Sequence, residues 1–73
     1  MPRLKTEPTT RIPLFLAIAQ DSRPQYTIAA LVDRSDAWLS RVTRGLADPG
    51  IRDMENLASV LGMSVSALFP EDQ

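Results

Sequence analysis

Cysteine and histidine are both absent from these 73 residues, and each absence removes a class of chemistry. Without cysteine there is no disulfide framework and no thiolate metal site. Without histidine the usual general base and zinc ligand are missing. The carboxylates are scattered singly on polar faces, so nothing resembles an acid–base pair or a metal cluster. An enzyme is the weakest reading, and no metal or other cofactor is expected. Long hydrophobic runs are lacking too. The most apolar stretch, residues 14–19, is far too short to cross a membrane, and the chain shows no charged leader or small-residue cleavage pattern. No membrane partner is expected, and a reducing cytoplasm fits.

Neither sign of charge dominates. Eight basic and nine acidic residues leave a formal net charge of -1, a mild argument against nucleic acid as a partner unless the charges are segregated. They are, weakly. Between residues 23 and 52 the bases Arg23, Arg34, Arg41, Arg44 and Arg52 outnumber Asp33, Asp36 and Asp48, while Asp53, Glu55, Glu71 and Asp72 carry acid elsewhere. An apolar content of 44% is that of a globular protein with room for one domain and one modest core.

The chain is organised around residues 24–45, which read as two short helices and a tight turn. Pro24 suits a first helical position, where its missing N–H is no loss. Ile28, Ala29 and Val32 share one face. Asp33-Arg34 interrupts the pattern, and Ser35 can cap a second helix. There Leu39 and Val42 point inward, Asp36, Ala37, Ser40 and Arg41 point outward, and Gly45 stops the helix. That is a helix-turn-helix.

Before it, residues 1–10 read as a flexible N-terminal arm: a disordered terminus, or a basic arm in which Arg3, Lys5 and Arg11 reach a phosphate or a minor groove. A helix is predicted over residues 12–21, with Ile12, Leu14, Phe15, Leu16, Ile18 and Ala19 covering well over half its circumference. Either it sits centrally in the core, or Leu14 or Leu16 is exposed and meets another chain. After Gly45 a Pro-Gly loop leads to a helix over residues 51–61, with Ile51, Met54, Leu57, Ala58 and Leu61 as its core face and Asp53 and Glu55 favouring its positive end. Gly62 ends it, Ser64 caps a last short helix over residues 65–69, and residues 71–73 fray. No alternation calls for a strand. The expectation is all-α: a compact five-helix bundle over residues 11–70.

The outer face of the second helix of the pair suits the major groove of double-stranded DNA, which is ~12 Å wide and admits a helix. Arg41 can pair bidentately with guanine O6 and N7, Asp36 can accept from cytosine N4, and Ala37 can touch a thymine methyl, with Ser40 beside them. Gln25, Arg34, Ser35 and Arg44 are candidates for phosphate contacts. Each has a plainer reading as a capping or solvated residue. Asp36 equally suits the start of a helix. Trp38 reads as a packing residue first and as a backbone contact through its N–H second.

These residues together resemble the Xre/Cro family of phage-repressor-like helix-turn-helix proteins. Gln25, Ile28, Ala29, Val32, Ser35, Leu39, Ser40, Arg41, Val42, Gly45 and Pro49 occupy the family's pattern, and residues 57–64 followed by Leu68-Phe69 match its last two helices. The resemblance covers residues 12–69. It implies a lambda-repressor-like domain that acts as a bacterial or phage-encoded transcriptional regulator, with the helix at about residues 35–44 in the major groove and two copies on a palindromic operator. Pro24 stands in place of the family's usual Thr, so the side-chain cap of that helix is lost, with Ser22 and Asp21 as candidate substitutes. Asp33 stands in place of the turn glycine. Ile18 and Thr43 replace an Arg–Glu pair, which is coherent because both partners go together. A homodimer would have to bury apolar surface left over from the core, for which Leu14, Leu16, Val65, Leu68 and Phe69 are the candidates. The competing function is a protein-interaction module, antitoxin-like or an anti-regulator, that uses the over-apolar first helix to hold a protein partner.

Overall fold

The computed structural model describes residues 9–70 of the chain. Most of the expected arm, including Arg3 and Lys5, and the tail at 71–73 lie outside the described residues. The described residues form five α-helices and no strand: α1 (Ile12–Gln20), α2 (Gln25–Leu31), α3 (Asp36–Thr43), α4 (Ile51–Leu61) and α5 (Val65–Leu68).

Local chemistry sets most of the boundaries. The Ser35 hydroxyl accepts from the Trp38 N–H at 3.0 Å and so caps α3, and Ser64 does the same for α5 through Ala67 at 3.1 Å. The Asp53 carboxylate reaches back to the Gly50 N–H at 3.2 Å to start α4. Gly62 ends α4 at φ 70°, in the left-handed conformation that costs glycine least. Asp33 takes the same region at φ 62° in the turn between α2 and α3. Pro24 does not open α2 from within; it is the extended residue before it. Neither Asp21 nor Ser22 caps that helix. The Asp21 carboxylate instead accepts from the backbone N–H and guanidinium of Arg23.

The core is assembled from every helix. Leu14 and Ile18 of α1, Ile28 and Ala29 of α2, Leu39 and Val42 of α3, Met54, Leu57 and Ala58 of α4, and Leu68 of α5 are buried, with Val32 and Phe69 just past the ends of α2 and α5. Packing joins elements both adjacent and distant in sequence: α2 lies on α3 and α4, while α1 touches α2, α3 and α5. Three of the proposed dimer contacts fail here. Leu14, Leu68 and Phe69 are among the most completely buried side chains, because a chain this small must spend its large apolar residues on its own core. Val65 is half-buried, and Leu16 remains exposed. Ile51, expected in the core, is 68% exposed; as the first residue of α4 it stands ahead of the turn that meets the core. Where the family resemblance implies an Arg–Glu pair, Ile18 is buried among apolar residues. Thr43, buried too, donates its hydroxyl to the Leu39 carbonyl at 2.8 Å. No polar group is stranded by the exchange.

Arg11 is the residue whose role the sequence hides. Its guanidinium donates to the carbonyls of Val42 at 2.7 Å and Ala47 at 3.0 Å and pairs with Asp48 at 3.0 Å, while its backbone N–H donates to Thr43. These carbonyls lie at the end of α3 and in the loop behind it, and that of Val42 also accepts from the Gly45 N–H at 3.1 Å. Arg11 is therefore not an outward-reaching arm residue; it closes the C-terminus of α3 and ties it to the start of α1.

Candidate nucleic-acid interface

The site is the outer side of α3 together with the start of α2. At 3.6 residues per turn Asp36, Ala37, Ser40, Arg41 and Arg44 fall within one arc of α3, opposite the buried Leu39, Val42 and Thr43. Asp36, Ala37, Arg41 and Arg44 are exposed and Ser40 is half-buried. Ser35, at the cap, has its oxygen committed to Trp38 and keeps its hydroxyl proton to donate.

Two contacts organise this surface. Gln25, at the first position of α2, donates through Nε2 to Oδ1 of Asp36, at the first position of α3, over 2.9 Å. The amide thereby fixes one carboxylate oxygen and leaves the other outward. Around the turn, Arg34 forms a two-pronged pair with Asp53 of α4, at 3.2 and 2.9 Å. Its guanidinium also lies 4.6 Å from the centroid of the Trp38 ring, a cation–π geometry. Arg34, a phosphate candidate on sequence, is thus engaged within the fold. The residue holds the α2–α3 turn against α4 and presents only its outer edge, its side chain being 43% exposed. Trp38 is half-buried, packing on the core from one side and receiving Arg34 on the ring face.

The arginines accordingly divide. Arg11, Arg23 and Arg34 are ion-paired within the fold. Arg41, Arg44 and Arg52 form no ion pair among the described residues, and all three are exposed. Arg23 is pinned twice: it pairs with Asp21 and donates to the Val60 carbonyl at 2.8 Å, fastening the α1–α2 link to the end of α4. Hydrogen bonding from the Arg23 side chain, then from its backbone N–H, holds the Asp21 carboxyl far below the ordinary carboxylate range. Sequence reasoning missed Asp53 and Arg11 as partners because they lie 19 to 37 residues from the groups they hold, beyond any local periodicity.

A cleft of about 310 Å³ lies elsewhere, lined by residues 9–13, Gly45 and residues 68–70. Among the described residues no group of His, Cys, Asp and Glu is arranged to hold a metal ion, and no helix is long and apolar enough to cross a membrane. No protein-family model, curated protein or solved structure matches the chain.

Proposed function

We propose that this chain is a sequence-specific DNA-binding regulator of the helix-turn-helix type, with α3 as its recognition helix and two copies on a symmetric operator. The observation that carries the reading is the division of the arginines: Arg41 and Arg44 stay uncommitted on the one face of α3 that also bears Asp36, Ala37 and Ser40. Such a face offers base-edge donors and acceptors between cationic groups. α3, at eight residues, is about 12 Å long, enough to place those side chains over a few base pairs. The Gln25–Asp36 bond supports the reading further, since it orders an acceptor that would otherwise sweep the groove. The resemblance to Xre/Cro proteins at the same positions points the same way.

Selection of bound sequences from a random DNA pool tests it. A motif with half-sites about one helical turn apart is expected. Arg41→Ala should cost ~1–3 kcal/mol and relax the choice at one base pair, whereas Arg44→Ala should weaken binding to all sequences alike. No enrichment at low salt refutes the proposal. The second reading, a protein-interaction module, then takes its place, favoured by the exposed apolar side chains of α1.

A further inference from the structure

The three ion pairs among the described residues face solvent differently. Arg11 is the inner partner of its pair, its side chain 15% exposed against 91% for Asp48. Arg23 is fastened from two sides, by Asp21 and the Val60 carbonyl. Arg34 and Asp53 reverse the first arrangement. There the carboxylate lies inward, 15% exposed and held also by the Gly50 N–H, while the guanidinium lies outward at 43%. Asp53 takes up Nε and Nη2. A guanidinium has five N–H donors, so Nη1 and one proton of Nη2 stay without a partner among the described residues. The Trp38 ring, 4.6 Å from the guanidinium, holds that free edge at the start of α3, the end that bears Asp36 and Ala37.

We propose that Asp53 is a counter-ion built into the chain for an arginine that meets the DNA backbone. Arg34 donates to a phosphate through its free edge, while Asp53 keeps the inner edge and cancels its charge. The proposal rests on the reading above for DNA as the partner, and for nothing else. An arginine that pairs with a phosphate ordinarily displaces a condensed cation, and the displaced ions supply the salt-dependent part of DNA affinity. An arginine that arrives with its own carboxylate neutralises no phosphate and displaces none. The hydrogen bond remains, because the guanidinium fork fits phosphate as it fits carboxylate. The electrostatic gain does not. Asp53 thereby lowers affinity for any DNA without touching base readout, and makes what is left less sensitive to salt. Helix capping alone leaves half of this carboxylate unexplained. The Gly50 N–H takes Oδ2, whereas Oδ1 is spent on Arg34.

The test measures binding of the full chain to a short mixed-sequence duplex by fluorescence anisotropy, from ~50 to ~200 mM salt. Asp53→Asn removes the charge and keeps an oxygen for the Gly50 N–H. It should tighten binding at low salt and steepen the fall of log K with log salt by ~0.9, the value of one phosphate contact. In an Arg34→Gln background the same replacement should leave the slope where it was. Asp53→Gln repeats the comparison should the first variant lose its helical circular dichroism, since glutamine serves the same capping position. A slope unchanged by Asp53→Asn would mean that Arg34 meets no phosphate. Equal steepening with and without Arg34 would mean that Asp53 repels DNA at large. Either result overturns the proposal. Because the duplex carries no chosen site, backbone binding is read apart from sequence choice. A parent that binds it, responds to Asp53→Asn as expected and selects no motif refutes only the functional reading. One that selects a motif and keeps its slope in Asp53→Asn refutes only this proposal, and a chain that binds no DNA refutes both.

Discussion

Two residues with left-handed backbone, Asp33 and Gly45, sit at the two ends of the candidate site, and their substitution should have opposite signs. Asp33 adopts φ 62° with an exposed side chain. A β-carbon in that region crowds the following carbonyl, and Asp tolerates it better than most residues without escaping the cost. Asp33→Gly should therefore raise stability by about 0.5 kcal/mol after the extra flexibility of the unfolded glycine is subtracted. Gly45, at φ 79°, has no such latitude. A β-carbon there would overlap the carbonyl oxygen of Thr9, which crosses directly over it. Gly45→Ala combines strain with a backbone clash and should lower stability by more than ~1 kcal/mol. Urea midpoints of the two variants against the parent decide it; a loss in both would mean that Asp33 has a role its side-chain contacts do not reveal.

Among the elements, α3 depends most on a residue outside it. Its N-terminus is closed locally by Ser35; at its C-terminus the N–H groups of Arg44, Gly45 and Leu46 donate to the carbonyls of Ser40, Val42 and Arg41, and Arg11 adds a guanidinium bond to Val42 from 31 residues away. Arg11→Met keeps the length of the side chain and the backbone bond to Thr43 but removes the guanidinium donors to Val42 and Ala47. A loss of ~1.5–3 kcal/mol is expected for hydrogen bonds from a charged donor, and ~1 kcal/mol corresponds to a Tm shift of about 4–8 °C in a domain of this size. A thermal melt within a degree of the parent would show that water replaces the guanidinium at no cost. The same contrast explains which parts of the fold are legible in the sequence. Ser35, Gly62 and Ser64 act on residues within a turn of themselves, so the start of α3, the end of α4 and the start of α5 follow from spacing alone. The inward set of α3 follows from periodicity for the same reason. Arg11 on α3, Arg34 on Asp53 and Arg23 on Val60 join groups far apart in the chain, and no spacing rule encodes them. Periodicity leaves the inward side of α1 open for a related reason: both sides of the helix are apolar, and only packing against α2, α3 and α5 decides that Leu14 and Ile18 face inward. Leu68 and Phe69, candidates for a dimer contact on sequence, are instead part of the core.

For the whole molecule, the near-zero net charge conceals a sorting. Asp48, Asp21 and Asp53 are taken up by Arg11, Arg23 and Arg34 in holding helices together, which leaves Arg41, Arg44 and Arg52 to face outward. Exposed and without an ion pair beside them stand Asp33, Asp36 and Glu55, so Arg41 and Arg44 supply local positive charge on α3 rather than a net basic face, and of the three pairs the one at Asp21 ties stability to pH. Asp21 shows the sign. Its carboxyl ionises near pH 3.8 when unperturbed and well below that in the folded chain, chiefly because the Arg23 side chain hydrogen-bonds to it. A group whose acidity is strengthened by folding contributes its stability in full above the unfolded value and loses it as pH falls towards the folded one. Arg23 also fastens the α1–α2 link to α4 through Val60, so protonating Asp21 loosens a joint between elements. Asp21→Asn should be less stable than the parent at pH 7, and the gap should narrow progressively as pH falls below about 4, where the parent loses the same pair. Melts followed by circular dichroism between pH 7 and pH 2 measure that gap directly. A gap that stays constant through the acid range would assign the contribution of Asp21 to shape and packing, and would leave Arg23 held by the Val60 carbonyl alone.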